Sequence, residues 1–268
     1  MNVTNTFSWK SSSFSRQNSP LLPRNVRGLI IGKSNCGKTT LIFNLLLQPE
    51  WLDYNHLYVF GKSLHQIEYK IIRKGFEEGL GKHQISNLFI QQDTLSNVNL
   101  SPLEAIDTYD GIKDGGITAN FYDDCSTIPD PSNLNSAEKN LLILDDCFLG
   151  KQNKAEAYYT RGRHNNCDTF YISQNYFRLP RQTIRENSNF IILFPQDAKN
   201  LGHIYLDHCS QDISKEEFKD FCKKVWSTRH NFVTIDLTSS STNGKYRKNL
   251  DCFYLPGIKP SCSFNVRP

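Results

Sequence analysis

Apolar residues along this chain fall into short runs separated by glycine, proline and polar clusters, and several runs are continuous enough to predict strands buried on both faces. Val26 to Ile31 is the first. It leads into a glycine loop, after which Lys38 to Leu47 carries apolar residues at helical spacing until Pro49 stops it. Leu57 to Phe60 predicts a second strand, Ile67 to Phe76 a helix, and Leu88 to Gln91 a third strand. From Asp93 to Asn140 the pattern dissolves. Pro102, Gly111, Gly115, Gly116, Pro129 and Pro131 break any long element there, and an irregular insertion is expected.

Regularity returns with Leu141 to Leu144, an apolar strand ending in Asp145 and Asp146. Lys154 to Tyr159 opens a helix that runs toward Arg163, Thr169 to Ser173 is a strand ending at Gln174, and Phe190 to Phe194 is another, bounded by Pro195. Alternating strands and helices of this kind describe an α/β fold, a parallel sheet flanked by helices. Farther on come a helical Lys215 to Val225, a strand Phe232 to Leu237 and a hairpin through Asn243-Gly244 into Cys252 to Leu255. The expected organisation is a disordered basic arm (1–24), a core (25–200) with the irregular stretch 93–140, and a C-terminal helix and hairpin appendage (201–268).

Composition narrows the class. A chain of 268 residues with 38% hydrophobic content is long enough for one substantial core. No apolar stretch approaches the roughly 18 to 20 residues that span a bilayer, and the N-terminus lacks the apolar centre of a secretory signal. Lys10, Arg16 and Arg24 sit among serines and asparagines with no acid beside them, which reads as a disordered arm rather than a transit peptide, because no helical stripe accompanies them. The eight cysteines contain no Cys-x-x-Cys pair, which suits a reducing, intracellular compartment. His203, His208, Cys209, Cys222 and His230 crowd one region but match no zinc-finger spacing, so ordinary packing is expected. A net charge of +4 is too small to announce nucleic acid by itself.

The chemistry is concentrated in Gly32-Lys33-Ser34-Asn35-Cys36-Gly37-Lys38-Thr39, a full G-x-x-x-x-G-K-[ST] match placed between a buried strand and a helix. Chance alone gives on the order of 0.01 such matches in a chain of this size. Two glycines let main-chain N–H groups turn inward around a phosphate, and the helix start adds the positive end of its dipole. Lys38 would reach the β and γ oxygens of ATP, Thr39 would offer its hydroxyl to Mg²⁺, and Thr40 completes the phosphate-binding turn. Asp145 would hold the metal through water, Asp146 would orient or deprotonate the attacking water, and Gln174 would hydrogen-bond that water or the γ-phosphate. Arg161 and Arg163, with His164, form a basic cluster ahead of the Gln174 strand. Two readings stay open there, an arginine finger on a neighbouring subunit's nucleotide and a solvated or DNA-contacting surface.

Taken together, GKSNCGKTTL, LLILDD, the run Tyr159-Thr160-Arg161-Gly162-Arg163-His164-Asn165 and Tyr171-Ile172-Ser173-Gln174-Asn175 resemble the genome-packaging ATPases of the FtsK/HerA superfamily, those of poxvirus-like, Polinton and virophage-type DNA viruses above all. The likeness continues through Arg185, Phe190 to Phe194, Asp207-His208 and Tyr246-Arg247-Lys248, covering roughly Arg27 to Leu255. The resemblance implies a RecA-like P-loop NTPase core with the Gln174 strand between the loop strand and the acidic strand. It also implies a homo-oligomeric ring, pentamer or hexamer, that drives double-stranded DNA into a preformed viral capsid, working with capsid proteins in the nucleus or cytoplasm of an infected cell. One departure is that many motors of this superfamily carry Glu where Asp146 stands. The rival readings are a GTPase, which the stretch Asn153-Lys154-Ala155-Glu156 fails for want of a final Asp, a nucleoside or nucleotide kinase using Arg161 and Arg163 as a lid, and a nucleotide-dependent adaptor for capsid assembly. The basic arm and Lys245 to Lys248 are the candidate DNA contacts, with solvated surface the equal alternative.

Overall fold

The computed structural model describes residues 17–94, 101–147 and 153–257. In chain order the elements are β1 (Arg27–Ile31), α1 (Lys38–Leu47), β2 (His56–Gly61), α2 (Ile67–Glu77), α3 (Lys82–Thr94), α4 (Pro102–Asp107), β3 (Thr118–Tyr122), β4 (Asn140–Asp145), α5 (Asn153–Arg161), β5 (Cys167–Ser173), β6 (Phe190–Leu193), α6 (Ala198–His208), α7 (Lys215–Trp226), β7 (Val233–Asp236), β8 (Tyr246–Lys248) and β9 (Cys252–Tyr254). They form a nine-stranded sheet in the order β3-β2-β4-β5-β1-β6-β7-β8-β9. Strands β3 through β6 in that order run parallel, and β7, β8 and β9 continue the sheet antiparallel.

The central strands are apolar throughout because both faces are covered. Leu29, Ile31, Leu142, Leu144, Tyr171 and Leu193 point to one side, against Tyr158 and Tyr159 of α5 and Phe218 of α7. Ile30, Ile143, Phe170, Ile172 and Ile192 point to the other, against Ile42 and Leu46 of α1 and Tyr69 and Ile72 of α2. Register then fixes the functional edge. Ile31 lies opposite Ser173, and Asp145 opposite Ile172, so the glycine loop, the acidic pair and Gln174 all leave the sheet at the carboxyl ends of adjacent strands. The Gln174 strand does run between the loop strand and the acidic strand, as the resemblance implied.

Several expectations change. Leu88 to Gln91 lies in helix α3 instead of a strand, since a short apolar run fits either period and Ile85, buried against Gly75 of α2, sets the helical one. The stretch 93–140 is less irregular than expected. It holds α4, started by a Ser101 capping box, and the edge strand β3, whose half-exposed residues give no apolar signal. Helix α6, capped by Asp197, was not foreseen. The C-terminal hairpin strands are members of the same sheet.

Residues 1–16 of the expected arm lie outside the described residues, whereas by Asn18 the chain is pinned, its amide donating to Asp168 Oδ2 at 2.6 Å, and Leu22 is buried. Within Lys245 to Lys248, a candidate DNA contact, Arg247 turns inward and Lys245 is neutralised. Arg247 is 3% exposed and pairs with Asp236 at 2.5 Å, and Lys245 binds Asp212. Cys209 and Cys222 pack in the core, while Cys125 and Cys147 are joined in a disulfide, a pairing that the reducing compartment did not lead one to expect. Among the described residues no helix is long and apolar enough to cross a membrane.

Candidate nucleotide-binding site

The loop 32–37 is shaped by its glycines. At Gly32 a Cβ would stand 2.5 Å from Cys36 Sγ and 2.7 Å from Phe194 Cβ, and Gly37 has φ 107°, where any side chain is strained. Asn35 takes φ 59°, which its short polar side chain tolerates. Gly37 then opens α1 with no side-chain cap and no acid in the first turn. The helix N-terminus therefore keeps its N–H groups and partial positive charge directed at whatever anion lies in the loop. Cys36 is half-buried and its thiol is pushed up by burial, so it adds no negative charge at neutral pH.

Lys38 reaches back over the loop. Its ammonium donates to the carbonyls of Gly32 at 2.7 Å and Lys33 at 2.8 Å. Across from it, Asp145 is 8% exposed, and burial raises its carboxyl above the usual range, with the neighbouring Asp146 carboxylate adding to the effect and the Tyr69 hydroxyl and Lys38 opposing it. Tyr69 donates to Asp145 Oδ2 at 2.8 Å. Asp146 adopts φ 53° with its amide bonded to Ile172 O at 3.0 Å, a backbone turn at the strand end that an aspartate accepts more readily than most residues. Gln174 ties the parts together, donating to Asp146 Oδ2 at 3.1 Å and accepting from Ser34 Oγ of the loop at 3.4 Å.

These groups border one cavity of about 800 Å³, lined among others by Ser34, Lys38, Thr39, Asp145, Asp146 and Gln174. The sequence foresaw all six. It missed the opposite wall. Gln66 accepts from Thr39 Oγ1 at 3.3 Å, and Gln66, Glu68 and Phe194 also line the space. His230, at φ 65°, sits 3.4 Å from Cys36 O through Nδ1. Gln66, which precedes α2, and Tyr69 in its first turn read only as an amphipathic helix start, with no local cue that they touch both candidate metal ligands. A hydroxyl and a buried carboxylate whose charge is disfavoured make a hard-oxygen donor set that fits Mg²⁺.

Arg161 and Arg163 are not brought into this cavity. Arg161 is exposed and paired with Asp130 at 3.0 Å, and Arg163 is exposed beside Arg27, the first residue of β1. Both precede β5, whose seven residues separate them from Gln174. That is roughly 20 Å of strand, across to the opposite edge of the sheet.

A similar fold occurs in a protein of known structure. The genome packaging NTPase B204 from Sulfolobus turreted icosahedral virus 2, in complex with sulfate, superposes with TM-score 0.51 at 14% identity, covering 89% of this chain and all of that one. The fold is that of a P-loop NTPase. Lower likenesses include B204 in complex with ATP-gammaS, at TM-score 0.48, 13% identity and coverage of 84% of this chain and 96% of that one. VirB4 of Thermoanaerobacter pseudethanolicus follows at TM-score 0.45, 11% identity and coverage of 85% and 95%. No family model matches the chain, and no curated protein matches it in sequence. Within this P-loop NTPase fold, Asp145 and Gln174 lie at the ends of β4 and β5, and Lys38 opens the helix that follows the loop after β1, the strand beside β5.

Proposed function

We propose that this chain is an ATP-driven, Mg²⁺-dependent translocase of double-stranded DNA, which packages a viral genome into a preformed capsid as a homo-oligomeric ring. The observation that carries the ATPase part is the convergence of Lys38, Asp145, Asp146 and Gln174 on one cavity at adjoining strand ends. The packaging part is supported by the Arg-Gly-Arg-His run before the Gln174 strand and by the fold shared with a genome packaging NTPase.

ATP would lay its phosphates along the loop amides and the α1 start. The Lys38 ammonium would exchange its two carbonyl partners for β and γ oxygens, which bind it more strongly because they are charged. Thr39 and Asp145 would hold Mg²⁺, which supplies neutralising charge to the departing diphosphate. Asp146 accepts the proton of a water that attacks the γ-phosphorus, while Gln174 orients that water, and the bond to the β–γ bridging oxygen breaks to give ADP and inorganic phosphate. The kinase reading required Arg161 and Arg163 as a lid over the same nucleotide, and their place at the far edge of the sheet argues against it.

The deciding experiment is ATP hydrolysis measured with and without long duplex DNA, together with oligomer mass. A translocase hydrolyses faster on duplex, whereas phosphate transfer to a nucleoside would identify a kinase. Lys38→Ala should abolish turnover and leave the circular dichroism spectrum and melting curve intact, and unchanged turnover would remove Lys38 from the site. Asp146→Asn should keep ATP binding and lose hydrolysis by about 10² to 10⁴-fold. Normal hydrolysis in that variant moves the base elsewhere.

A further inference from the structure

Beyond Gln174 the chain leaves the cavity in a tight turn, Tyr176–Arg178, held by Asn175, whose side-chain oxygen accepts from the Phe177 amide at 3.0 Å. Tyr176 is buried. Its hydroxyl donates to Asp207 Oδ2 at 2.8 Å and lies 2.7 Å from His208 Nε2, and Arg185 grips the same Asp207 oxygen at 3.1 Å. The turn and the end of α6 are therefore clamped into one unit, and that unit begins two residues after the side chain that touches both Asp146 and the loop.

The next side chain faces outward. Phe177 is 52% exposed, its ring set against His203 of α6 at 4.7 Å between centroids, with Lys199 Nζ 5.5 Å from the ring centre. Leu206, three residues beyond His203 on the same helix, is 63% exposed. Arg178 and Lys199 are exposed, and among the described residues neither has a carboxylate partner, whereas Arg181 nearby is paired with Glu186. A phenyl ring kept outside the core and fringed by two uncompensated cations offers phosphate contacts with apolar contact to sugar.

We propose that Phe177, Arg178, Lys199, His203 and Leu206 form the surface that touches duplex DNA, and that the clamped turn carries the state of Gln174 to it. The charge favours a polyanion over a second protein surface, for which free cations around the aromatic would need matching acids. This inference rests on the translocase reading above. Loss of γ-phosphate frees Gln174 to redistribute between Asp146 and Ser34. Any shift of its backbone then moves Phe177 and Arg178 together with α6, because Tyr176 binds them as one body.

The test is the full-length triple variant Phe177→Ala, Arg178→Ala, Lys199→Ala, measured for hydrolysis without DNA, stimulation by long duplex, duplex affinity across salt, and oligomer mass. Expected are unchanged DNA-free hydrolysis and mass, lost stimulation, affinity weakened by about tenfold or more, and a salt slope reduced by about two for two lost phosphate contacts. The single variant Arg178→Lys should retain stimulation. Stimulation and affinity equal to the unaltered chain overturn the surface alone. Collapse of the oligomer mass also overturns it, by marking the patch as a contact between subunits. Absence of any DNA stimulation in the unaltered chain overturns the translocase reading itself and this surface with it.

Discussion

The Asp145 carboxylate sits where burial and a neighbouring acid both disfavour its charge, and the Tyr69 hydroxyl offsets part of that cost through a bond of 2.8 Å. Removing the hydroxyl while keeping the ring isolates its role. In Tyr69→Phe the Asp145 carboxyl should move further up, so that its protonation begins at higher pH and the acid limb of the activity profile shifts upward. At pH values within that limb Mg²⁺ half-saturation should rise with the protonated fraction of Asp145, while ATP binding without metal stays constant. A magnesium titration of hydrolysis, repeated at several pH values, measures both effects. If neither moves, Tyr69 is a packing residue and α2 has no part in the metal site.

At the scale of elements, the joint between the Tyr176 turn and α6 contains a titratable group held neutral. Burial pushes His208 down to about 4 from 6.5, against the attraction of Asp207 and together with the repulsion of Lys245 and Arg185. With the Tyr176 hydroxyl donating to Asp207, the His208 ring serves it from a protonated Nε2. Between those two values the unfolded chain takes up a proton that the folded chain refuses, so stability falls as pH drops from 6.5 toward 4. The effect is on the order of 3 kcal/mol at full extent. Denaturant unfolding at pH 7.5 and pH 5 should show a smaller drop in His208→Gln than in the unaltered chain, and equal drops would mean that the ring is charged in the fold.

Arg185 and Asp207-His208 of this joint entered the sequence reading only through the resemblance, and no local pattern showed that Tyr176 would bind them. Helix α6 contains Gly202 and two histidines in a stretch without a continuous apolar stripe, and its Asp197 cap is one polar residue among several. Buried parallel strands fared better, because being covered on both faces writes them as unbroken apolar runs with polar residues at their ends, and the ends at Asp145 and Gln174 border the cavity. Edge strand β3, half exposed, leaves no such mark. Gln66 and Tyr69 reach Thr39 and Asp145 only because the start of α2 lies across the end of β4, a tertiary fact with no local pattern.

For the whole molecule, the distribution of charge chemistry along the two edges of the sheet has a consequence for assembly. Lys38, Asp145, Asp146 and Gln174 occupy the carboxyl edge, while Arg161 and Arg163 stand at the amino edge, exposed, about a strand's length away. A guanidinium that stabilises the γ-phosphoryl transition state must come within hydrogen-bonding distance of it, so an arginine-finger role for Arg161 or Arg163 requires the cavity of another subunit. A ring in which the amino edge of one subunit meets the carboxyl edge of the next would meet that need at every interface, since such head-to-tail contacts close by rotation. Complementation tests this directly. The double variant Arg161→Ala, Arg163→Ala should lose about 10³-fold or more in hydrolysis, as should Lys38→Ala, each assembled alone. Co-assembled, an intact Lys38 on the arginine-less chain meets intact arginines on the Lys38→Ala chain, and a fraction of interfaces is complete. Hydrolysis well above the sum of the two separate preparations is expected when the chains are mixed before ring formation, with no gain when preformed rings are mixed. If the arginine double variant hydrolyses ATP at the rate of the unaltered chain, the arginines belong to the solvated surface and the cavity is complete within one chain.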